Sequence, residues 1–483
     1  AAPALSHPAF DEAAGKILAR ARGQKAPAEA VRLVRLACES PLVEGLAAER
    51  ETFLSLRDGV ESKALRHVFF AEREAGKVAD PAGIAPRPVE TIGIAGLGLM
   101  GSGIAVAALG AGYAVVGLDQ TAEAAAKGRE RILGIIEKSV ASGRLSREAA
   151  DAQASRLSVT AVDADLAEAD LVVEAVFDDL NVKIDLFRRL DAVLRPKAIL
   201  ATNTSYLNPD EIAAATAIPQ RMLGLHFFSP AHIMRLLEVV RCARTAPDVL
   251  ATGLAFAKRL KKLAVVTGVT EGFIGNRIFS AYRREAEFLI EDGALPHEID
   301  AALENFGFPM GLFAVYDMAG LEIAWARRKR QAATRAPSER YVPIADRLCE
   351  LGRFGQKAGK GYYDYDAERR RTPSPEALAI IEDFARKSGA ERRAIGDDEI
   401  RERTLYVMVN EGARIIEEGI AQRASDIDVV WIHGYGWPRY RGGPMHWADQ
   451  VGAATIVESL DRHGIETSSL LKRLARENGR FTS

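Results

Sequence analysis

The chain has 483 residues, 48% of them hydrophobic and 27% charged, with a net charge of −2. That length predicts roughly three or four domains. The composition excludes a disordered chain, the balanced charge excludes a basic field for nucleic acid or an anionic membrane, and three scattered cysteines (Cys38, Cys242, Cys349) offer neither a metal cluster nor a disulfide framework.

Residues 1–88 read as helical. Apolar residues recur at helical spacing over Ala13 to Ala21, Ala28 to Glu39 and Val43 to Leu56, with charges on the opposite face. A linker rich in proline follows over Ala79 to Pro88. Ala1 in place of an initiator methionine suggests a chain processed or cut from a longer one.

From Val89 the pattern changes to short apolar runs separated by amphipathic helices. The runs are Thr91–Ala95, Ala114–Leu118, Leu171–Glu174, Ala198–Thr202, Met222–His226 and Leu236–Val240. This alternation predicts a parallel sheet covered by helices, ending near Thr270. No charged side chain occurs between Thr91 and Leu118, a stretch long enough to cross a bilayer. Its eight glycines argue against a spanning helix and for strand, tight turn, helix and second strand.

The turn is Gly96-Leu-Gly-Leu-Met-Gly101, and the second strand ends in Asp119, 18 residues after Gly101. Strand, glycine loop, helix, strand and acid together form a dinucleotide fingerprint. Gly96 permits the turn, Gly98 lets the backbone approach a pyrophosphate, Gly101 lets the helix pack, and the helix N-terminus attracts phosphate. A carboxylate at position 119 accepts from ribose hydroxyls and repels a 2′-phosphate. Gln120 supplies no cation to neutralise one, so the expected cofactor is NAD.

Alcohol oxidation by a nicotinamide also needs a base. Among eight histidines, His226 ends an apolar strand at the carboxyl edge, where open α/β sheets bind ligands. Glu238 lies inside the apolar run Leu236–Val240, where an unpaired carboxylate is costly to bury. His226 is its natural partner.

Two later segments, 271–366 and 398–483, read as helical copies of one another. Phe288-Leu-Ile-Glu-Asp-Gly293 matches Arg414-Ile-Ile-Glu-Glu-Gly419, and Ile299-Asp300 matches Ile427-Asp428. Gly307-Phe-Pro309 matches Gly436-Trp-Pro438, and Asp317 with Gly320 matches Asp449 with Gly452. The charged stretch Tyr365–Pro375 joins the copies.

Gly96–Gly101, Asp119-Gln120, Val172-Val-Glu-Ala175 with Lys183, Asn203-Thr-Ser205, His226-Phe-Phe-Ser-Pro230, Glu238-Val-Val240 and Gly272-Phe-Ile-Gly-Asn-Arg277 occur in that order. Over roughly 89–366 the chain thereby resembles the L-3-hydroxyacyl-CoA dehydrogenases of fatty-acid β-oxidation. The resemblance implies an α/β Rossmann-type NAD-binding domain, preceded by a helical segment and followed by two tandem all-helical dehydrogenase C-terminal domains. The expected bounds are 1–88, 89–270, 271–366 and 374–483.

It further implies that His226 is the general base in oxidation, oriented by Glu238, and that Ser205 and Asn276 hydrogen-bond the substrate 3-oxygen. Cofactor contacts are expected from Gly96, Gly98, Leu99, Met100, Gly101, Asp119, Gln120, Ala175, Val176, Asn203, Ser205 and Ser229. Asp178 and Lys183 are expected on the adenosine side or ribose. Ser229 departs from the asparagine common in the family, which predicts changed affinity. His232 is a candidate for the acyl site, and Lys127, Arg129, Arg131 and Lys138 lie where the family places CoA phosphates.

The duplication resembles the multifunctional enzymes in which a hydratase precedes the dehydrogenase, and it predicts a monomer. Ser40–Arg50 with Phe53 looks like the end of a crotonase-type hydratase, and Leu65–Arg73 like the linker helix after it. No hydratase activity is expected from this chain. The expected partner is an acyl-CoA thioester, with no metal, nucleic acid or membrane. The C-terminus lacks a peroxisomal Ser-Lys-Leu, and a bacterial cytoplasmic setting is expected, with a peroxisomal or mitochondrial one as the alternatives. Two rival readings are the 3-hydroxyisobutyrate and 6-phosphogluconate dehydrogenases, which share the loop but use a lysine, and a noncatalytic NAD- or CoA-binding protein.

Overall fold

The computed structural model describes residues 7–78, 83–332, 335–336, 339–389 and 391–482. Residues 67–277 with 412–435 form one compact unit, and 1–66, 278–411 and 436–483 form another.

The first unit is built on eight strands: β1 Thr91–Ala95, β2 Ala114–Leu118, β3 Leu157–Thr160, β4 Leu171–Glu174, β5 Ile199–Thr202, β6 Met222–Phe227, β7 Leu236–Val240 and β8 Leu263–Thr267. Their order is β3-β2-β1-β4-β5-β6-β7-β8. Alternate side chains enter opposite faces, as the two-residue period of a strand requires. Ile92, Ile94, Val173, Leu223 and Leu225 pack into one core, and Val172, Leu200 and Met222 into the other with Leu186, Phe187 and Leu190. The chain reverses its direction of growth between β1 and β4, the crevice at which such sheets bind ligands.

The sheet is parallel, as expected, apart from one pair of strands. β7 runs antiparallel to β6, with His226 opposite Glu238 in register. The connection over residues 228–235 is shorter than the dozen or so residues of a parallel crossover, so the strand must return beside its neighbour. β3 and β8 were not anticipated. β3 is a four-residue edge strand, and β8 pairs parallel with β7 after the helix Pro247–Arg259.

The N-terminal helices form over His7–Ala21, Lys25–Glu39, Leu42–Asp58 and Val60–Glu74. Of the linker expected over 79–88, residues 79–82 lie outside the described residues, and 84–88 form neither helix nor strand. Among the described residues, the two copies are helical apart from a small antiparallel pair, Tyr363–Tyr365 with Arg371–Pro373, where the first copy meets the joining stretch.

The duplication extends to local geometry. Gly320 and Gly452 share nearly the same backbone angles (φ 91°, ψ 129° and φ 94°, ψ 129°). The Asp317 carboxylate accepts from two successive backbone N–H groups, Tyr362 and Tyr363, both at 2.9 Å. Asp449 does the same for Phe481 and Thr482, at 2.7 and 2.8 Å. The matched acids therefore perform the same task in both copies. Among the described residues, no helix is long and apolar enough to cross a membrane.

Candidate active site

The glycine loop joins β1 to the helix Leu99–Gly110. Gly96 holds φ +91°, and a Cβ on Gly101 would lie 1.8 Å from the Gly96 carbonyl oxygen, so the helix can start where it does only with glycine there. A Cβ on Gly98 would meet nothing, because that side of the loop opens into a cleft of about 800 Å³. The cleft is lined by Gly96, Gly98, Asp119, Gln120, Ala175 and Val176, among others.

Asp119 stands at the carboxyl end of β2. One carboxylate oxygen accepts from the Leu97 N–H in the glycine loop (3.0 Å), the other from the Gln120 N–H (2.8 Å). Asp119 thus braces the glycine loop. An open cleft, bare backbone at Gly98, a helix N-terminus and a fixed carboxylate fit NAD. Leu99 is exposed, and Met100 packs partly against the sheet core. Arg131 supports the loop by donating to the Leu97 carbonyl (2.5 Å), and Lys127 pairs with Glu123.

The floor of the crevice is a buried polar network between β4 and β5. Glu174, fully buried, accepts from the Lys183 ammonium, the Val176 N–H (2.7 Å) and the Thr202 hydroxyl (2.7 Å). Thr204 donates to Asp178 at 2.7 Å, and Asp178 lies 3.5 Å from Lys183. Lys183 is only 1% exposed, so it sits beneath the crevice, and of this pair Asp178 reaches the surface. Sequence reasoning missed the roles of Glu174, Thr202 and Thr204; the signal was a lone acid ending an apolar strand.

At the carboxyl ends of β5 and β6 three side chains converge. His226 Nδ1 lies 2.6 Å from Glu238 Oε2, and His226 Nε2 lies 3.2 Å from Ser205 Oγ. Histidine and glutamate are both buried. The other Glu238 oxygen accepts from the backbone N–H groups of Ile274 (3.2 Å) and Gly275 (3.0 Å), which hold the turn that delivers Asn276. Phe228 and Phe273 flank the imidazole at 4.7 and 5.5 Å between ring centroids. Asn203 accepts from the Phe227 N–H (2.8 Å) and so ties β5 to β6, while Ser229 is exposed on the following loop.

Two residues were missed altogether. Tyr435 donates to Asn276 Oδ1 at 2.7 Å, and Glu72 pairs with His433 at 2.7 Å. His232 does not join this cluster. It lines a separate pocket with Arg144, Arg259 and Lys262.

The family model described as the 3-hydroxyacyl-CoA dehydrogenase NAD binding domain matches residues 91–270, and that of the C-terminal domain matches twice, over 272–365 and 400–478. The chain belongs to the 3-hydroxyacyl-CoA dehydrogenase family. Its cofactor is NAD, and its reaction is the oxidation of 3-hydroxyacyl-CoA.

Among relatives of this dehydrogenase, the peroxisomal bifunctional enzyme of Cavia porcellus is 43% identical over 496 residues, covering 97% of this chain and 68% of that protein. The crystal structure of 3-hydroxybutyryl-CoA dehydrogenase from Escherichia coli superposes with a TM-score of 0.70 at 28% identity, covering 81% of this chain and 99% of the other. That of the dehydrogenase part of multifunctional enzyme 1 from C. elegans gives 0.61 at 29% identity, covering 84% and 96%. The curated relatives correct one expectation: several, that of Cavia porcellus among them, are named peroxisomal, so the bacterial cytoplasmic setting does not stand.

Proposed function

We propose that this dehydrogenase oxidises L-3-hydroxyacyl-CoA to 3-ketoacyl-CoA with His226 as the general base, in fatty-acid β-oxidation and in a peroxisomal setting like that of its relatives. The supporting observation is the line Glu238–His226–Ser205, in which one ring nitrogen is held by the carboxylate and the other lies at hydrogen-bond distance from the serine hydroxyl. Glu238 fixes the tautomer that carries its proton on Nδ1, which leaves the Nε2 lone pair to take the hydroxyl proton and then stabilises the imidazolium. Ser205, at hydrogen-bond distance from Nε2, places the substrate hydroxyl on that nitrogen.

Asn276 donates from its amide to the same oxygen as it becomes a carbonyl. NAD, when bound, supplies the acceptor for the hydride that leaves C3. Gly96, Gly98, Gly101, Asp119, Gln120, Ala175 and Val176 hold it, with Asp178 toward the ribose and Leu99, Met100, Asn203 and Ser229 as further contacts. Lys183 acts from beneath through Glu174 and Asp178. In the reverse direction His226 returns the proton from Nε2.

The test is NADH consumption with acetoacetyl-CoA, against 3-hydroxyisobutyrate and 6-phosphogluconate with NAD. Turnover of the thioester alone supports the reading, and turnover of a free acid alone overturns it. His226→Ala should lower kcat by about 10³-fold or more with NAD affinity nearly unchanged; retained turnover would remove the assignment.

We further propose that the protein is monomeric and that 1–88, 89–270, 271–366 and 374–483 are its units of descent. Phe306 and Phe308 of the first copy meet Trp437 of the second at 5.2 and 5.5 Å, and Phe306 meets Trp447 at 5.4 Å. Aromatic surface that would otherwise favour a second subunit is thereby covered within one chain. Light scattering at micromolar concentration checks it, and a dimer mass would refute it.

A further inference from the structure

Residues 412–435 of the second helical copy cluster with 67–277. At the end of this segment, after the helix Ala424–Gly434, stands Tyr435, whose hydroxyl donates to Asn276 Oδ1 at 2.7 Å. We propose that Tyr435 is a positioning residue for Asn276, so that the active site is completed by the second helical copy. This rests on the reading of Asn276 as a donor to the substrate 3-oxygen.

The chemistry is that of an amide with two unlike ends. Asparagine offers one acceptor oxygen and two N–H donors, and its side chain can rotate to present either. An oxygen gaining carbonyl character, or negative charge in the reverse reaction, needs the donor end. The Tyr435 hydroxyl occupies the acceptor end and so selects the rotamer that turns Nδ2 to the substrate. Without it, the two orientations compete, and the wrong one sets oxygen against oxygen.

The tyrosine is itself held firmly. Its ring stacks on Trp431 (4.7 Å, 26°) and meets Phe228 edge-on (5.7 Å, 82°), and Phe228 in turn lies 4.7 Å from His226. The ring passes so close to Gly275 that a Cβ there would be 2.5 Å from Tyr435 Cε2. Asp428 and His433, on the helix before it, pair with His67 (2.8 Å) and Glu72 (2.7 Å) of the helix Val60–Glu74. The Gly268 N–H donates to the Ile420 carbonyl at 2.8 Å, which anchors the start of the same segment.

The duplication supplies an internal control. In the register that aligns Gly307-Phe-Pro309 with Gly436-Trp-Pro438, the counterpart of Tyr435 is Phe306, a buried ring packed among aromatic residues. A phenyl ring therefore satisfies the fold at this point of the helical unit. The hydroxyl is what the second copy adds, and its partner is Asn276.

The experiment is a double-mutant cycle in the full chain: kcat and KM for acetoacetyl-CoA and NADH with wild type, Tyr435→Phe, Asn276→Ala and the double variant. Tyr435→Phe should lower kcat about 10-fold with KM for NADH unchanged, and should cost less than about two-fold in the Asn276→Ala background. A loss in kcat that is equally large in both backgrounds would show that Tyr435 does not act through Asn276 and would overturn the proposal. So would a Tyr435→Phe kcat within about two-fold of wild type while Asn276→Ala is impaired. If Asn276→Ala is itself unimpaired, the reading of Asn276 fails first, and the positioning role fails with it.

Discussion

Glu238 grips His226 with one carboxylate oxygen, and with the other it grips the backbone at Ile274 and Gly275, immediately before Asn276. A single buried carboxylate thus holds both His226 and the turn that precedes Asn276, the two side chains proposed to flank the reacting oxygen. The arrangement follows from β7 running back along β6, which puts positions 226 and 238 directly opposite.

Glu238→Gln keeps the shape and changes the proton pattern. The glutamine oxygen can serve the backbone N–H groups, but its NH2 then faces His226 Nδ1 and forces the ring proton onto Nε2. That tautomer cannot accept a proton from the substrate. The expected result is a fall in kcat for oxidation of about 10²- to 10⁴-fold, with little change in KM for NAD. Steady-state kinetics with 3-hydroxybutyryl-CoA measures it, and wild-type turnover would dissociate Glu238 from the mechanism.

Much of this site could be read from the chain alone. β1, β2, β4 and β7 keep the bounds of their apolar runs, because a strand covered on both faces is built mainly from apolar residues. His226 and Glu238 stood out as polar residues at the end of one such run and inside another. What could not be read depends on contacts between distant segments. Tyr435 reaches Asn276 only after the second copy has folded onto the sheet edge, and nothing in the local pattern near 435 distinguishes it from the core aromatic at 306. Lys183 was legible as part of a motif, yet its burial depends on Glu174 and Thr202, which approach it from two different strands.

Asp119→Ala removes both the repulsion of a 2′-phosphate and the brace on the Leu97 N–H. The ratio of kcat/KM for NAD to that for NADP should fall about 10- to 100-fold, chiefly through weaker NAD binding. An unchanged ratio would mean that another group sets the cofactor preference.

Lys183→Met should act on stability before it acts on the cofactor. The substitution leaves the Glu174 carboxylate buried with only neutral donors, a loss of about 3–5 kcal/mol by analogy with other broken buried pairs. Urea unfolding gives the number, and a loss below about 1 kcal/mol would place Lys183 in a solvated site instead.

Asp426 gives the chain a stability that depends on pH. It opens the helix that leads to Tyr435, is buried, and has one carboxylate oxygen without a hydrogen-bond partner among the described residues. Burial pushes its pKa up to about 6, although the neighbouring Arg423 pulls the other way. A carboxyl that binds its proton more tightly folded than unfolded favours the native state below the ordinary aspartate range. That contribution is lost as pH rises through about 6. The difference corresponds to roughly 3 kcal/mol at most. Asp426→Asn should therefore be stabilising relative to wild type at pH 7 and lose that advantage by pH 4.5. Thermal melts of both proteins across that range test it, and a Tm difference that does not vary with pH would assign the effect to packing rather than charge.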